Sequence, residues 1–415
     1  MTTRLDGGLE DARAQDARDP LGGLRSRFIL PDGVVYMVGN SLGPLLKAAR
    51  DRVTQAVEVE WGQGLVRSWN DAHWIDAPRR IGAKIARLIG AGPNEVIVAD
   101  STSVILFKLL VAALKARPGR RVILTETGNF PTDLYVAQGV AAAFPDVEVR
   151  AVAPGEIMAA IDQDVAVVML THVNYKTSAR HDMAAITAKT HAAGALSLWD
   201  LSHTAGAVPV DLCTDDVDLS VGCGYKFLNG GPGSPAYVFV AERLQSELLS
   251  PITGWMGHAE AFAFSDDFRP ASGMARWLTG TPPVLSLLAL EAGVDLHLEV
   301  ETGALAEKSR QLWDLFVQRF ETRCPNAGFA MISPRDAGRR GSHVALAHPE
   351  GYRIMQTLIA RGVIGDFRAP DVIRFAITPL YQRFEDIWRA VEILTEIMET
   401  EAWRALPPLA DGRVT

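Results

Sequence analysis

The feature that most constrains the fold is an alternation of short apolar runs and helical patterns between about residues 90 and 240. Val165–Leu170 is a continuous β-branched and apolar run, which is typical of a parallel strand covered on both faces. A helical pattern at Met183–Ala193 then leads back into another apolar run. This order predicts an α/β fold with a doubly wound, mostly parallel sheet, ending with a strand at Ala236–Val240.

The length of 415 residues is sufficient for two domains with a large buried core. We expect an N-terminal arm and small-domain segment at residues 1–50, a large domain at 51–290, and a smaller α+β domain at 291–415. Residues 1–30 are expected to be loose, or to form a poorly packed first helix, because their composition is mixed and charged.

The composition argues against several classes of partner. A formal net charge of −8, without any basic run, disfavours nucleic acid and anionic membrane surfaces. No apolar stretch approaches the ~20 residues of a membrane span, and the N-terminus lacks a signal core. The three cysteines have no metal-binding spacing, so we assign no metal and expect reduced thiols in a cytoplasmic protein.

The stretch Ser197–Pro235 carries most of the recognisable chemistry. Asp200 follows a buried apolar run, at the strand end where open α/β sheets bind their ligands. Tyr225 and Lys226 follow a second short strand and are flanked by glycines on both sides. A carboxylate followed about 26 residues later by such a lysine suggests a pyridoxal phosphate site. Singly, the aspartate could be a turn residue and the lysine a solvated side chain.

Together these motifs resemble those of the kynureninases, pyridoxal-phosphate enzymes of the aspartate-aminotransferase-like fold. The motifs occur in family order from residue 39 to about residue 385. They are GNSLG at 39–43, FPTD at 130–133, WDLSH at 199–203, GYKFLNGG at 224–231, GW at 254–255 and VIR at 372–374.

The resemblance implies roles for the residues of the central stretch. Lys226 would form the Schiff base with pyridoxal phosphate, and Asp200 would hold the ring nitrogen protonated. His203 would orient the surrounding groups, and Tyr225 would be a proton shuttle near the phosphate.

Further cofactor contacts are expected around the ring. By resemblance, Phe130 stacks on the pyridine ring, Asp133 is among the residues that surround the cofactor, and the Thr171 hydroxyl reaches the cofactor. The alternative is that Phe130 is a hydrophobic staple and Asp133 a residue of the first helical turn.

The phosphate is expected at the start of a helix. The apolar helical pattern Val104–Ala116 follows a polar loop, so the backbone N–H groups of Thr102 and Ser103 would point at an anion. Capping by Ser101 or Thr102 is compatible with this role. By resemblance, Trp255 and Thr281 also donate to the phosphate, with at least one coming from the neighbouring subunit.

Two residues are expected to bind the substrate. Arg374 lies inside an apolar strand, where a guanidinium needs an anion. Its family position implies a clamp on the substrate α-carboxylate, and the alternative is an internal salt bridge. By resemblance Ser41 lies near the substrate, although a helix cap is an equal alternative.

The implied activity is hydrolysis of L-kynurenine to anthranilate and L-alanine in a homodimer. Gly62 stands where some relatives place a histidine, which leaves the choice between kynurenine and 3-hydroxykynurenine open. The alternatives are another enzyme of this fold, such as a cysteine desulfurase or class V aminotransferase, and a non-catalytic protein that binds pyridoxal phosphate.

Overall fold

A computed structural model of the chain describes residues 8–407. The helices in this range are α1 (Leu9–Asp16), α2 (Lys47–Gln55), α3 (Ser68–Asp71), α4 (Ala77–Leu88), α5 (Thr102–Ala116), α6 (Pro131–Ala143), α7 (Ile157–Ala160), α8 (Met183–Ala192), α9 (Val284–Leu298), α10 (Thr302–Arg323), α11 (Gly351–Ala360) and α12 (Phe384–Glu399). The strands are β1 (Phe28–Ile29), β2 (Val35–Tyr36), β3 (Leu45–Leu46), β4 (Val96–Ala99), β5 (Val122–Glu126), β6 (Glu148–Val152), β7 (Val165–Thr171), β8 (Leu196–Asp200), β9 (Leu219–Cys223), β10 (Ala236–Val240), β11 (Ala330–Met331), β12 (His343–Ala347), β13 (Val363–Ile364), β14 (Asp366–Arg368) and β15 (Val372–Ala376).

The described residues form two compact units. The larger unit comprises residues 48–175 and 181–299, and the smaller comprises residues 8–47, 176–180 and 300–407. Within residues 8–407, none of the helices is both long and apolar enough to span a bilayer.

The larger unit is built around a seven-stranded sheet with the order β4-β10-β9-β8-β7-β5-β6. All strands run parallel except β10, which is antiparallel to both of its neighbours. Every residue of β4, β5, β7, β8, β9 and β10 is buried, as expected for strands covered on both faces. The predicted α/β class and mostly parallel sheet are confirmed. The carboxyl ends of the parallel strands meet at one edge, where β10 begins.

The smaller unit contains an antiparallel sheet with the order β11-β12-β15-β14. A second, parallel pair joins β2 to β13, which places the chain just before Gly39 beside the C-terminal part. The buried core of this unit includes Phe316, Phe375 and Leu394.

The N-terminal segment is more ordered than its composition predicts. Of the two alternatives for this segment, the loose arm is wrong for residues 8–30, the first helix is present as α1, and residues 1–7 lie outside the described part. Helix α1 buries Ala12, and the Asp16 carboxylate accepts the backbone N–H groups of Phe384 and Glu385 at 2.7 and 3.0 Å. Asp16 thus caps the start of α12, a long-range contact that no local pattern signals.

Candidate active site

Three buried polar side chains meet at the carboxyl edge of the large sheet. Thr171 and Asp200 end neighbouring strands and are directly paired in the register of β7 and β8. Asp133, in the first turn of α6, accepts a hydrogen bond from Thr171 Oγ1 at 3.3 Å. Asp200 accepts the backbone N–H of Ser202 at 2.6 Å, which fixes its carboxylate. The fold thus brings together three of the residues that the sequence singled out.

The two carboxylates at this edge repel each other. Burial, followed by the negative charge of Asp200, raises the pKa of Asp133 well above its ordinary value, and the nearby charge of Lys226 opposes this rise. A cation placed beside Asp200 would relieve the repulsion, because opposite charge within a few ångströms stabilises a carboxylate. A protonated pyridine ring supplies such a cation, so the buried carboxylates fit the cofactor that the sequence predicted.

Lys226 is held in a tightly folded loop after β9. Its side chain is buried, and Nζ lies 5.5 Å from the ring centroid of Phe130 and 5.9 Å from that of Tyr225. A Cβ at Gly224 would lie 2.3 Å from Ser234 Oγ, so this close packing requires glycine. The lysine amine and the face of Phe130 therefore line one space.

The other side chains of the loop support this arrangement. Burial raises the pKa of the Tyr225 phenol, which keeps it protonated at neutral pH. The buried ring of His203 packs edge to face on Phe227 at 6.3 Å. His297 Nε2 donates to the Phe227 carbonyl at 2.8 Å and fixes the backbone next to Lys226. Burial lowers the pKa of His297, which leaves its imidazole neutral.

The start of helix α5 has the predicted form. Thr102 and Ser103 are its first two residues, and Ser101 Oγ caps the helix by accepting the Val104 N–H at 3.5 Å. The first N–H groups of a helix have no partner inside it, so this terminus is suited to an anion.

The remaining two predicted phosphate contacts lie at the surface. Trp255 is partly exposed and packs edge to face on Phe262 at 5.6 Å, and Thr281 is exposed. Their role in cofactor binding stays a prediction.

Ser41 and Arg374 lie in the smaller unit, where both contact one carboxylate. Arg374 Nε donates to Asp366 Oδ1 at 2.7 Å, and Ser41 Oγ donates to Asp366 Oδ2 at 2.6 Å. Arg368 Nη2 donates to the same carboxylate at 2.9 Å. The internal salt bridge that the sequence left open as an alternative for Arg374 is therefore present. Two guanidinium groups and one hydroxyl group thus converge on this carboxylate.

Sequence analysis missed Asn129, which connects two of the predicted residues. Asn129 is buried, its oxygen accepts the Phe130 backbone N–H at 2.7 Å and the Thr171 hydroxyl, and its amide donates to Thr125 Oγ1 at 3.1 Å. Its position directly before the FPTD motif was the available signal. Asp366 was missed because nothing in a single sequence pairs it with Arg374 across two strands.

Comparison with known proteins identifies the family. Residues 305–394 match the family described as the kynureninase C-terminal domain. A kynureninase of Pseudomonas fluorescens is 50% identical over 409 residues, covering 97% of this chain and 97% of that protein. The chain belongs to the kynureninase family. A second kynureninase, from Burkholderia pseudomallei, is 50% identical over 402 residues, covering 95% of this chain and 97% of that protein.

The kynureninase family shares its fold with other solved proteins. The cysteine desulfurase CsdA of Escherichia coli has a TM-score of 0.75 and 18% sequence identity, covering 92% of this chain and 98% of that chain. At this identity the likeness concerns the fold alone.

Proposed function

We propose that this chain is a pyridoxal-phosphate-dependent hydrolase that converts L-kynurenine and water into anthranilate and L-alanine. The proposal is supported by family membership over nearly the whole chain. The single structural observation that carries it is the placement of the buried Lys226 amine 5.5 Å from the Phe130 ring, in electrostatic contact with the buried carboxylate of Asp133.

When bound, pyridoxal phosphate supplies a ring that withdraws electrons and so stabilises negative charge on the substrate's carbon atoms. Lys226 would hold it covalently through Nζ, Asp200 would accept a hydrogen bond from its ring nitrogen, and Phe130 would cover one face. Thr102 and Ser103 would donate backbone N–H groups to its phosphate.

We assign Lys226 a second role, as the base that would take the proton from the substrate's α-carbon. The packed glycine loop would hold its amine in place for that transfer.

Tyr225 would move protons in the cleavage step. Water adds to the γ-carbonyl, the Cβ–Cγ bond breaks with its electron pair going to Cβ, and Cβ takes up a proton. The aryl fragment leaves as the carboxylic acid, so atoms and charge balance. The Tyr225 phenol, whose pKa burial raises, is protonated at neutral pH and would supply that proton.

Arg374 and Ser41 would bind the substrate's α-carboxylate. Their support is the convergence of Arg374, Arg368 and Ser41 on one point of the smaller unit, together with the geometry by which a guanidinium group binds a carboxylate through two parallel hydrogen bonds.

A cysteine desulfurase activity is disfavoured because that chemistry needs an accessible thiol with a lowered pKa. Cys223 and Cys324 are buried, and burial raises the pKa of both thiols. Cys213 is exposed, but its thiol donates to Glu95 at 3.6 Å, and desolvation followed by the charge of Glu95 raises its pKa as well. These environments are the opposite of those that activate a cysteine.

Family membership also supports a homodimer acting in the cytoplasm. Exposed apolar side chains such as Trp61, Val66 and Phe264 are compatible with an interface between copies, and the mass in solution measures it directly.

The test is a steady-state assay of cofactor-loaded protein with L-kynurenine, following anthranilate fluorescence and alanine. Lys226→Ala should abolish turnover, whereas Lys115→Ala, an exposed lysine on α5, should leave it unchanged. Wild-type protein that binds the cofactor but releases neither anthranilate from kynurenine nor 3-hydroxyanthranilate from 3-hydroxykynurenine would refute the proposal.

A further inference from the structure

Lys108 is a buried lysine outside the groups discussed so far. Its side chain, on α5, is fully buried, and the amine has three protein acceptors. Nζ donates to Asp100 Oδ2 at 2.6 Å, to Thr279 Oγ1 at 2.7 Å and to the carbonyl of Trp277 at 2.8 Å. An ammonium group has three N–H donors, so all three are used.

The acceptors come from two separate parts of the chain. Asp100 lies directly after β4 and immediately precedes the cap of α5, where Thr102 and Ser103 begin the helix. Trp277 and Thr279 lie in the segment that continues to Thr281. Lys108 therefore ties the start of α5 to the segment that carries another predicted phosphate contact.

A third segment, the one that carries Trp255, packs against Thr279. The backbone N–H of Met256, next to Trp255, donates to the Thr279 carbonyl at 3.2 Å. A Cβ at Gly254 would lie 2.3 Å from that carbonyl oxygen, so the two backbones are in close contact. The segments that hold Thr102 and Ser103, Trp255, and Thr281 thus converge on the contacts of Lys108.

The ion pair also stabilises an uncommon backbone conformation. Asp100 has φ of +49°, in the left-handed region that residues other than glycine seldom adopt. Its side chain is held by Lys108, and its carbonyl accepts the Ala236 N–H at 2.9 Å. Without the amine, the loop would lose one of the contacts that compensate for this strain.

We propose that Lys108 is a positioning residue for the cofactor's phosphate. It acts through the three segments that it holds together, without itself touching the phosphate. This inference rests on the proposed function for the identity of the ligand and goes beyond it in assigning a role to Lys108.

The test compares two ligands that differ only in the phosphate. Full-length protein freed of cofactor is titrated with pyridoxal phosphate and with pyridoxal, and binding is followed by tryptophan fluorescence. In Lys108→Met, affinity for pyridoxal phosphate should fall about tenfold, the usual worth of a hydrogen bond to a charged group. Affinity for pyridoxal should change by less than about twofold, because pyridoxal lacks the phosphate whose binding segments Lys108 holds together.

Lys84→Met is the matched control, because Lys84 is a half-buried lysine of the same unit whose ion pairs are with Glu291 and Asp295, outside these three segments. This control should bind both ligands as the wild type does. If Lys108→Met does not fold, Thr279→Val removes one acceptor with little change in volume. It should weaken pyridoxal phosphate binding about threefold, corresponding to one ordinary hydrogen bond.

Equal losses for the two ligands, or no loss for either, would overturn the role of Lys108. If the proposed function is wrong, the result is a different one: wild-type protein would bind pyridoxal phosphate without cleaving kynurenine. The binding comparison remains decisive in that case.

Discussion

Asp366 and Arg374 occupy opposed positions on β14 and β15, and their side chains form a buried ion pair in which Arg374 Nε donates to Asp366 Oδ1 at 2.7 Å. Burial alone would raise the pKa of Asp366, but the hydrogen bond and charge of Arg374 lower it below its ordinary value of 3.8. Arg368 and Ser41 also contact this carboxylate. The ion pair is therefore both a stabilising element and the support of the proposed substrate clamp.

Removing this carboxylate should destabilise the protein. Asp366→Ala should lower the free energy of unfolding by roughly 3–5 kcal/mol, because it removes the carboxylate that forms an ion pair with a buried guanidinium. Urea unfolding followed by circular dichroism measures the change. Glu307→Ala, which breaks an exposed pair with Arg310, should cost far less, and equal losses would contradict the argument.

The same ion pair predicts a dependence on pH. Because the folded pKa of Asp366 lies below its unfolded value, the stabilisation is complete above about pH 4 and is lost as the pH falls through the folded pKa. Unfolding free energies measured down to pH 3 should fall more steeply for the wild type than for Asp366→Asn. Parallel curves would contradict this prediction.

Asp133→Asn should have opposite effects on stability and on cofactor binding. The cofactor-free protein should become more stable, because the substitution removes a buried carboxylate that burial and the charge of Asp200 destabilise. Affinity for pyridoxal phosphate should fall, since the protonated ring loses nearby negative charge. Thermal unfolding with and without cofactor measures both effects, and a loss of stability in the cofactor-free state would be the contrary result.

Tyr225→Phe should slow turnover more than it weakens binding. Loss of a group that transfers a proton typically costs about 10²–10⁴-fold in rate. The measurements are kcat for kynurenine and, separately, the dissociation constant of the cofactor. A kcat close to that of the wild type would exclude Tyr225 as the proton donor.

Two glycine substitutions in the larger unit should change the stability of the protein in opposite directions. Gly224→Ala should prevent correct formation of the Lys226 loop, because the new Cβ would lie 2.8 Å from the Pro235 carbonyl as well as near Ser234 Oγ. Gly139→Ala, in exposed α6 with no atom within 4 Å of the new Cβ, should stabilise the protein by about 0.5–1 kcal/mol. Unfolding midpoints and cofactor absorbance report the two outcomes.

Much of the large unit could be predicted from local pattern. Buried parallel strands are continuous apolar runs, so β7 and β10 were found within a residue of their ends. Strand β6 was missed because it lies at the sheet edge and is charged and partly exposed. The antiparallel direction of β10 could not be predicted from local pattern either. The direction and order of strands in a sheet depend on contacts between residues far apart in sequence.

The residues of the candidate site likewise fall into two groups, those that the local sequence marks and those whose contacts depend on tertiary packing. Asp200 and Lys226 could be singled out because a strand end and a glycine-rich loop mark them locally. The pairing of Lys108 with Asp100 and Thr279, and that of Arg374 with Asp366, depends on tertiary packing. A polar residue within an apolar helix or strand indicates that it has a buried partner. The sequence alone does not indicate which residue that partner is.

The position of β10 has a consequence for synthesis of the chain. Strand β4 ends at Ala99, and within residues 8–407 it pairs with one strand of the sheet, β10, which begins at Ala236. While the polypeptide emerges from the ribosome, β4 therefore has both edges open until β10 has been made, which exposes it to aggregation. The lysine loop lies directly before β10, so a nascent chain cannot assemble its cofactor pocket before this last strand inserts. The cofactor should therefore bind late, after β10 has inserted into the sheet, and should not act as a nucleus for folding.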